Sequence, residues 1–158
     1  MVQVSRNLVI NLFVTAILSF LVLNGCEKKV INVPATEGIA RLPVIGNVEI
    51  ILDFEAIGGK TVTVKNGNDR GVGVYIVKNN DPSIIIFSDG WIGKRKSSVH
   101  TGINFEYGWE LKVTVVIYKD LAGAIIAFIN ALGPNFLDEI KEFWIENRYE
   151  KTVVIEKS

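Results

Sequence analysis

Between Asn47 and Ile117 apolar and polar residues alternate, and this period of two constrains the fold more than any other feature of the chain. Val48, Ile50, Leu52 and Phe54 alternate with Glu49, Ile51, Asp53 and Glu55. Successive side chains of a strand point to opposite faces, so this spacing gives one core face and one outer face. Gly58-Gly59 turns the chain into Val62 and Val64, and Asn66-Gly67-Asn68-Asp69 has the composition of a hairpin turn. Val72 to Lys78 follows, then the turn Asn79-Asn80-Asp81-Pro82 and the apolar run Ser83 to Phe87. Beyond a longer link, Val99, Thr101, Ile103, Phe105 and Tyr107 share one face of a strand. Gly108 turns it into Trp109, Leu111, Val113, Val115 and Ile117.

These runs predict a mainly β fold of six to eight strands, an antiparallel β-sandwich or partial barrel, with Lys151 to Glu156 as its last strand. Before that strand the period becomes 3.6. Asp120 is placed to cap a helix from Leu121 to Leu132, which Gly133-Pro134 stops. Asn135 and Asp138 approximate a capping box for a second helix. That helix carries Phe136, Leu137, Ile140, Phe143 and Trp144 on one side, and charged residues as far as Glu146 largely on the other. A C-terminal helical hairpin is therefore expected. Residues 26–46, with Glu27-Lys28-Lys29, Pro34 and Pro43, read as a tether ahead of a β-rich domain at 47–158, although Val30 to Val33 also has the pattern of a short edge strand.

The first 25 residues have a different character. Arg6 is followed by an uncharged, mostly apolar stretch, expected to be helical, that ends at Gly25 and Cys26, the single cysteine of the chain. A positive end, an apolar run and a small residue before the cut are the parts of a secretion signal. Leu23-Asn24-Gly25-Cys26 resembles the lipobox of prokaryotic lipoproteins. The resemblance implies acylation of Cys26, cleavage before it, and an extracytoplasmic domain held on a membrane of the cell envelope. Asn24 departs from the small or aliphatic residue usual at its position. An uncut transmembrane helix is the alternative, because ~20 uncharged residues are enough to cross a bilayer. Asn11, Thr15 and Ser19 recur every four residues and would then form a polar stripe of the kind that holds membrane helices together.

Composition excludes several chemistries. Lys and Arg balance Asp and Glu at zero net charge, so nothing draws the chain as a whole to nucleic acid. One histidine and one cysteine do not make a zinc site, and no cofactor motif is found. Asn66-x-Asn68-x-Arg70-Gly71 echoes a calcium loop but puts a cation where a ligand belongs. Gly71-Val72-Gly73 sits in a strand pattern and precedes no helix, which excludes a dinucleotide loop. His100 with Ser97 or Ser98 lacks the setting of a nucleophile elbow, and Asp53 with Glu55 reads as an ordinary solvent face.

One segment stands out. Ser88 to Ser98 joins Trp91, between two glycines, to the consecutive cations Lys94, Arg95 and Lys96. An aromatic ring beside positive charge suits an anionic polymer, a lipid headgroup or an envelope protein. The plainer reading is a solvated turn with Trp91 folded back as a lid on the core. The function expected is a membrane-anchored lipoprotein that serves as a binding or structural module of the envelope. The alternatives are a single-pass transmembrane subunit of an envelope, filament or virion assembly, and an envelope hydrolase.

Overall fold

The alternating runs become strands. The computed structural model describes residues 29–119 and 145–158, and these form nine strands with no helix among them. In chain order they are β1 (Val30–Thr36), β2 (Ile39–Arg41), β3 (Val48–Asp53), β4 (Thr61–Asn66), β5 (Val72–Lys78), β6 (Asp81–Ile92), β7 (Ser97–Thr101), β8 (Glu110–Tyr118) and β9 (Ile145–Lys157). They make one sheet in the order β6-β5-β8-β9-β1-β2-β3-β4-β7. The two edge strands, β6 and β7, come together, so the sheet is a nearly closed barrel. Neighbours run antiparallel except β1 and β9, which pair in parallel from Val30 opposite Thr152 to Ala35 opposite Lys157.

This corrects the expected fold class in three ways. Among the described residues a single nine-stranded sheet, without helix, replaces the expected six- to eight-stranded antiparallel sandwich or partial barrel. The helices expected at 121–132 and from 135, with Phe136, Leu137, Ile140, Phe143 and Trp144, lie outside the described residues, as does the N-terminal apolar helix. Glu146, assigned to the second helix by its period, lies in β9, which begins at Ile145 rather than Lys151. Val30–Thr36 and Ile39–Arg41, read mainly as tether, are sheet strands that bury Val33, Ala35 and Ala40.

Pro34 explains why β1 is hard to recognise. A proline inside a sheet loses a ladder bond. Here the carbonyl of Ala35 turns towards the β9 side, where it accepts from the Ser158 amide. The nitrogen of Pro34 therefore faces β2, and β2 pairs with β1 only at Ala35 and Thr36. The ladder ends where the donor is missing. Two further boundaries differ from expectation. β6 runs on through Ile92, so the link to β7 shrinks to residues 93–96, and β7 ends at Thr101. Ile103, Phe105 and Tyr107 then follow Gly102 off the sheet. There Phe105 is fully buried, 4.8 Å edge-on from Phe54, and Tyr107 stacks on Phe54 at 3.9 Å. These rings close one end of the barrel.

The interior is packed side chain to side chain. Val48, Ile50 and Leu52 of β3 meet Val62 and Val64 of β4, Val74 and Ile76 of β5, and Val113 and Val115 of β8, all 1% exposed or less. Each such aliphatic side chain contributes roughly 1.5–3 kcal/mol on leaving water, which makes this interior a core and not a ligand chamber. Strand direction sorts the links between two ends. Residues 37–38, 54–60 and 102–109 share the end closed by Phe54 and Phe105. Residues 42–47, 67–71 and 93–96 share the other, which is also where β1 begins.

Candidate functional site: a cationic cleft at one end of the barrel

Three asparagines bind the links of this second end into one platform. Asn66, at the end of β4, is 4% exposed, the one buried polar residue among the described residues. Its Nδ2 donates to the carbonyls of Arg70 (2.7 Å), Ile92 (3.2 Å) and Gly93 (3.0 Å), and its Oδ1 accepts from the Asn68 amide at 2.9 Å. Asn68 Nδ2 donates to the carbonyl of Gly46 at 2.8 Å, and Asn47 Nδ2 to that of Gly67 at 2.8 Å. Main-chain bonds reinforce the joint, with the Asn66 amide donating to Lys96 and the Arg95 amide to Asn68. Buried carbonyls without donors are costly, so this network fixes the 93–96 turn firmly.

On the outside of the platform is a cleft of about 350 Å3 lined by Asp69, Arg70, Gly71, Trp91, Gly93, Lys94 and Lys96. Ile92 faces the core, so Trp91, one residue before it, faces outward. The Trp91 ring lies across Gly71, where a Cβ would sit 1.9 Å from its nearest ring atom. On its other side is Tyr118, with ring centroids 5.5 Å apart and planes at 31°. The Tyr118 hydroxyl donates to the carbonyl of Gly90 at 3.1 Å. Val116 and Tyr118 are buried on this outer face, with Tyr75 and Ile145 packed against them. Trp91 is thus half-buried in a second, external cluster and does not fold back onto the barrel core.

The cations of the loop are not equivalent. Arg95 stands at the rim with a left-handed backbone (φ 54°) and its Nε donates to Asp69 Oδ1 at 2.8 Å. That hydrogen bond first, then the charge of Arg95 and more weakly that of Lys94, holds the Asp69 carboxyl below the usual carboxylate range. The same bond raises the pKa of Arg95. Arg70 is engaged by Glu146 of β9. Lys94 and Lys96 line the cleft without a carboxylate partner among the described residues. The arrangement can hold an anion: two ammonium groups over a fixed turn, beside an aromatic wall seated on Gly71.

Of the residues singled out from sequence, Trp91, Lys94 and Lys96 meet at the cleft, and Arg95 sits beside it in an ion pair. Cys26 and the Asn11, Thr15 and Ser19 stripe lie outside the described residues. Arg70 and Gly71 were not singled out as binding residues. The calcium-like spacing of Asn66 and Asn68 marks side chains occupied by backbone groups, and among the described residues no three His, Cys, Asp or Glu side chains converge on a metal site. His100 Nε2 bonds Asp89, but the Ser98 hydroxyl is buried without a hydrogen-bond partner, so the three do not form a relay. Comparison with family models, with curated proteins and with solved structures finds no match for the chain.

Proposed function

We propose that this protein is a membrane-anchored, extracytoplasmic binding module of the cell envelope that holds an anionic group in the Trp91 cleft. The observation that carries the binding part is the pairing pattern of the basic turn. Asp69 takes up Arg95 while Lys94 and Lys96 line the cleft beside Trp91, on a turn fixed by Asn66. A merely solvated charge run has no need of a buried asparagine holding its backbone. The anchor part rests on the lipobox-like Leu23-Asn24-Gly25-Cys26. Two acyl chains on Cys26 hold firmly, at about 0.8 kcal/mol per buried methylene, where one chain would not.

Two measurements test the two parts separately. Intact mass of the membrane-extracted protein should give a chain beginning at an acylated Cys26. An unmodified chain that retains Met1 would favour the transmembrane subunit instead. Titration of the detergent-solubilised protein with polyphosphate should show salt-sensitive binding that is lost in Lys94→Glu/Lys96→Glu. Equal affinity in that variant would remove the cleft from the proposal.

A further inference from the structure

Among the described residues, charge is separated between the two ends of the barrel. Around the end closed by Phe54 and Phe105 lie Glu37, Asp53, Glu55, Glu106 and Glu156, against Lys60 and Lys157. Around the other end, among the described residues, lie Lys29, Arg70, Lys94, Arg95 and Lys96, against Glu49, Asp69 and Glu146. These described acids are already engaged, Glu49 by Lys65, Asp69 by Arg95 and Glu146 by Arg70. Such a distribution orients a protein towards an anionic surface even when its total charge is zero.

Two further observations concern the same end. Val44, on the 42–47 link, is 58% exposed, and that link is tied to the basic platform through the Asn68 bond to Gly46. Trp91 stands half-buried on the cleft at the same end. Apolar side chains among lysines are what the headgroup boundary of a bilayer accommodates. In addition, β1 begins at this end, and only Glu27, Lys28 and Lys29 separate Val30 from Cys26. Even fully extended, that stretch spans no more than ~14 Å. A barrel anchored at Cys26 therefore has no room to stand away from the bilayer, and the end it turns towards the membrane is the basic one.

We propose that this end docks on the bilayer, with Lys94 and Lys96 reaching the phosphates of anionic phospholipids and Val44 and Trp91 at the headgroup boundary. The inference rests on the reading of the cleft as an anion site and adds its source, the lipid of the membrane that carries the anchor. Each basic residue at an anionic surface contributes about fivefold in affinity.

The test uses the full chain reconstituted in vesicles of phosphatidylcholine, with or without phosphatidylglycerol, and reads amide hydrogen exchange by mass spectrometry. The anchor is present in both, so only docking differs. With phosphatidylglycerol, amides of 42–47, 67–71 and 93–96 should exchange on the order of 25-fold more slowly than in phosphatidylcholine alone, as expected for two basic contacts. Amides of 102–108 should not change. The protection should disappear in Lys94→Glu/Lys96→Glu and fall with salt. If these amides exchange equally in both vesicles while polyphosphate still protects them, the site takes a soluble anion and the lipid assignment is wrong. If neither protects them, the anion reading itself fails. Protection at 102–108 instead would show that the acidic end faces the membrane and would overturn the orientation.

Discussion

His100 of β7 reaches across the gap in the barrel and its Nε2 donates to Asp89 Oδ2 of β6 at 2.9 Å. These two strands share no backbone ladder, so side chains do there what hydrogen-bonded pairing does elsewhere in the sheet. The His100 ring also packs edge-on against Phe87 of β6, with centroids 5.0 Å apart. Asp89 Oδ1 accepts from the Trp91 amide at 3.2 Å, which links the seam to the cleft. The bonds of Asn66 to Ile92 and Gly93 close the same seam at its basic end.

The contribution of this clasp is measurable. His100→Ala is predicted to lower unfolding free energy by about 1–2 kcal/mol, since a charged-acceptor hydrogen bond is lost but the pair is partly solvated. Urea denaturation of His100→Ala, Asp89→Ala and the double variant gives the coupling. Strict additivity of the two single effects would show that the contact does not hold the seam.

Asn66 is predicted to matter more. Asn66→Ala takes its donor from the carbonyls of Arg70 and Ile92 and leaves that of Gly93 with the Lys96 amide alone, at a cost of about 2–4 kcal/mol in this largely buried joint. Asn66→Asp should be no better, because a carboxylate offers those carbonyls no hydrogen. A loss under about 1 kcal/mol in denaturant titration would mean that the platform is held by its main-chain bonds alone.

Gly71→Ala should displace the Trp91 ring, because the new methyl would overlap it. Overpacking of this kind costs typically 1–3 kcal/mol. Polyphosphate affinity should fall with it. Gly93→Ala is the control on the same cleft, with its nearest neighbour, Lys96 Cγ, at 3.5 Å, and should be nearly neutral. Equal melting temperatures for the two variants would contradict the packing described for Trp91.

The Asp69 carboxyl, held below its usual range chiefly by the hydrogen bond from Arg95, sets a pH dependence. Its folded pKa lies under its unfolded value. The pair therefore supports the fold above the ordinary aspartate range and ceases to do so as pH falls through the depressed folded value. Anion binding should run the opposite way, since protonating Asp69 removes a negative charge from the rim and releases Arg95. Polyphosphate should bind more tightly in acid, and Asp69→Asn should reproduce the gain at neutral pH by up to about fivefold. Weaker binding by Asp69→Asn would show that the ion pair shapes the site rather than opposing the ligand.

Local alternation made β3, β4, β5 and β8 legible, since each buries one face and its residues repeat every second position. β1 was obscured by Pro34, whose missing amide matters only if the neighbouring strand runs past it. β6 was cut short because Asp89 and Gly90 are poor strand formers, and what holds them is the partner strand β5 and the clasp to His100. Pairing of β1 with β9 leaves no local trace at all. At the cleft, Trp91 and the lysines were visible as an unusual composition. Arg70 and Gly71 were not, because they belong to the link before β5 and meet Trp91 only once β5 pairs with β6, Val72 opposite Ile92. Strand direction also reveals the charge separation among the described residues. An antiparallel chain sends alternate links to opposite ends, and a composition summed over the chain averages the ends together.

The parallel pairing of β1 with β9 has a consequence in time. Val30 finds its partner Thr152 only after all the strands between them have been made, and contacts so distant along the chain form late. Hairpins such as β3–β4 and β5–β6 assemble from what is already made, whereas the first strand has to wait for the last. Until then Val30 to Pro34 have no ladder partner, because β2 pairs with β1 only at Ala35 and Thr36. The processing proposed at Cys26 would therefore meet an open chain rather than a finished barrel.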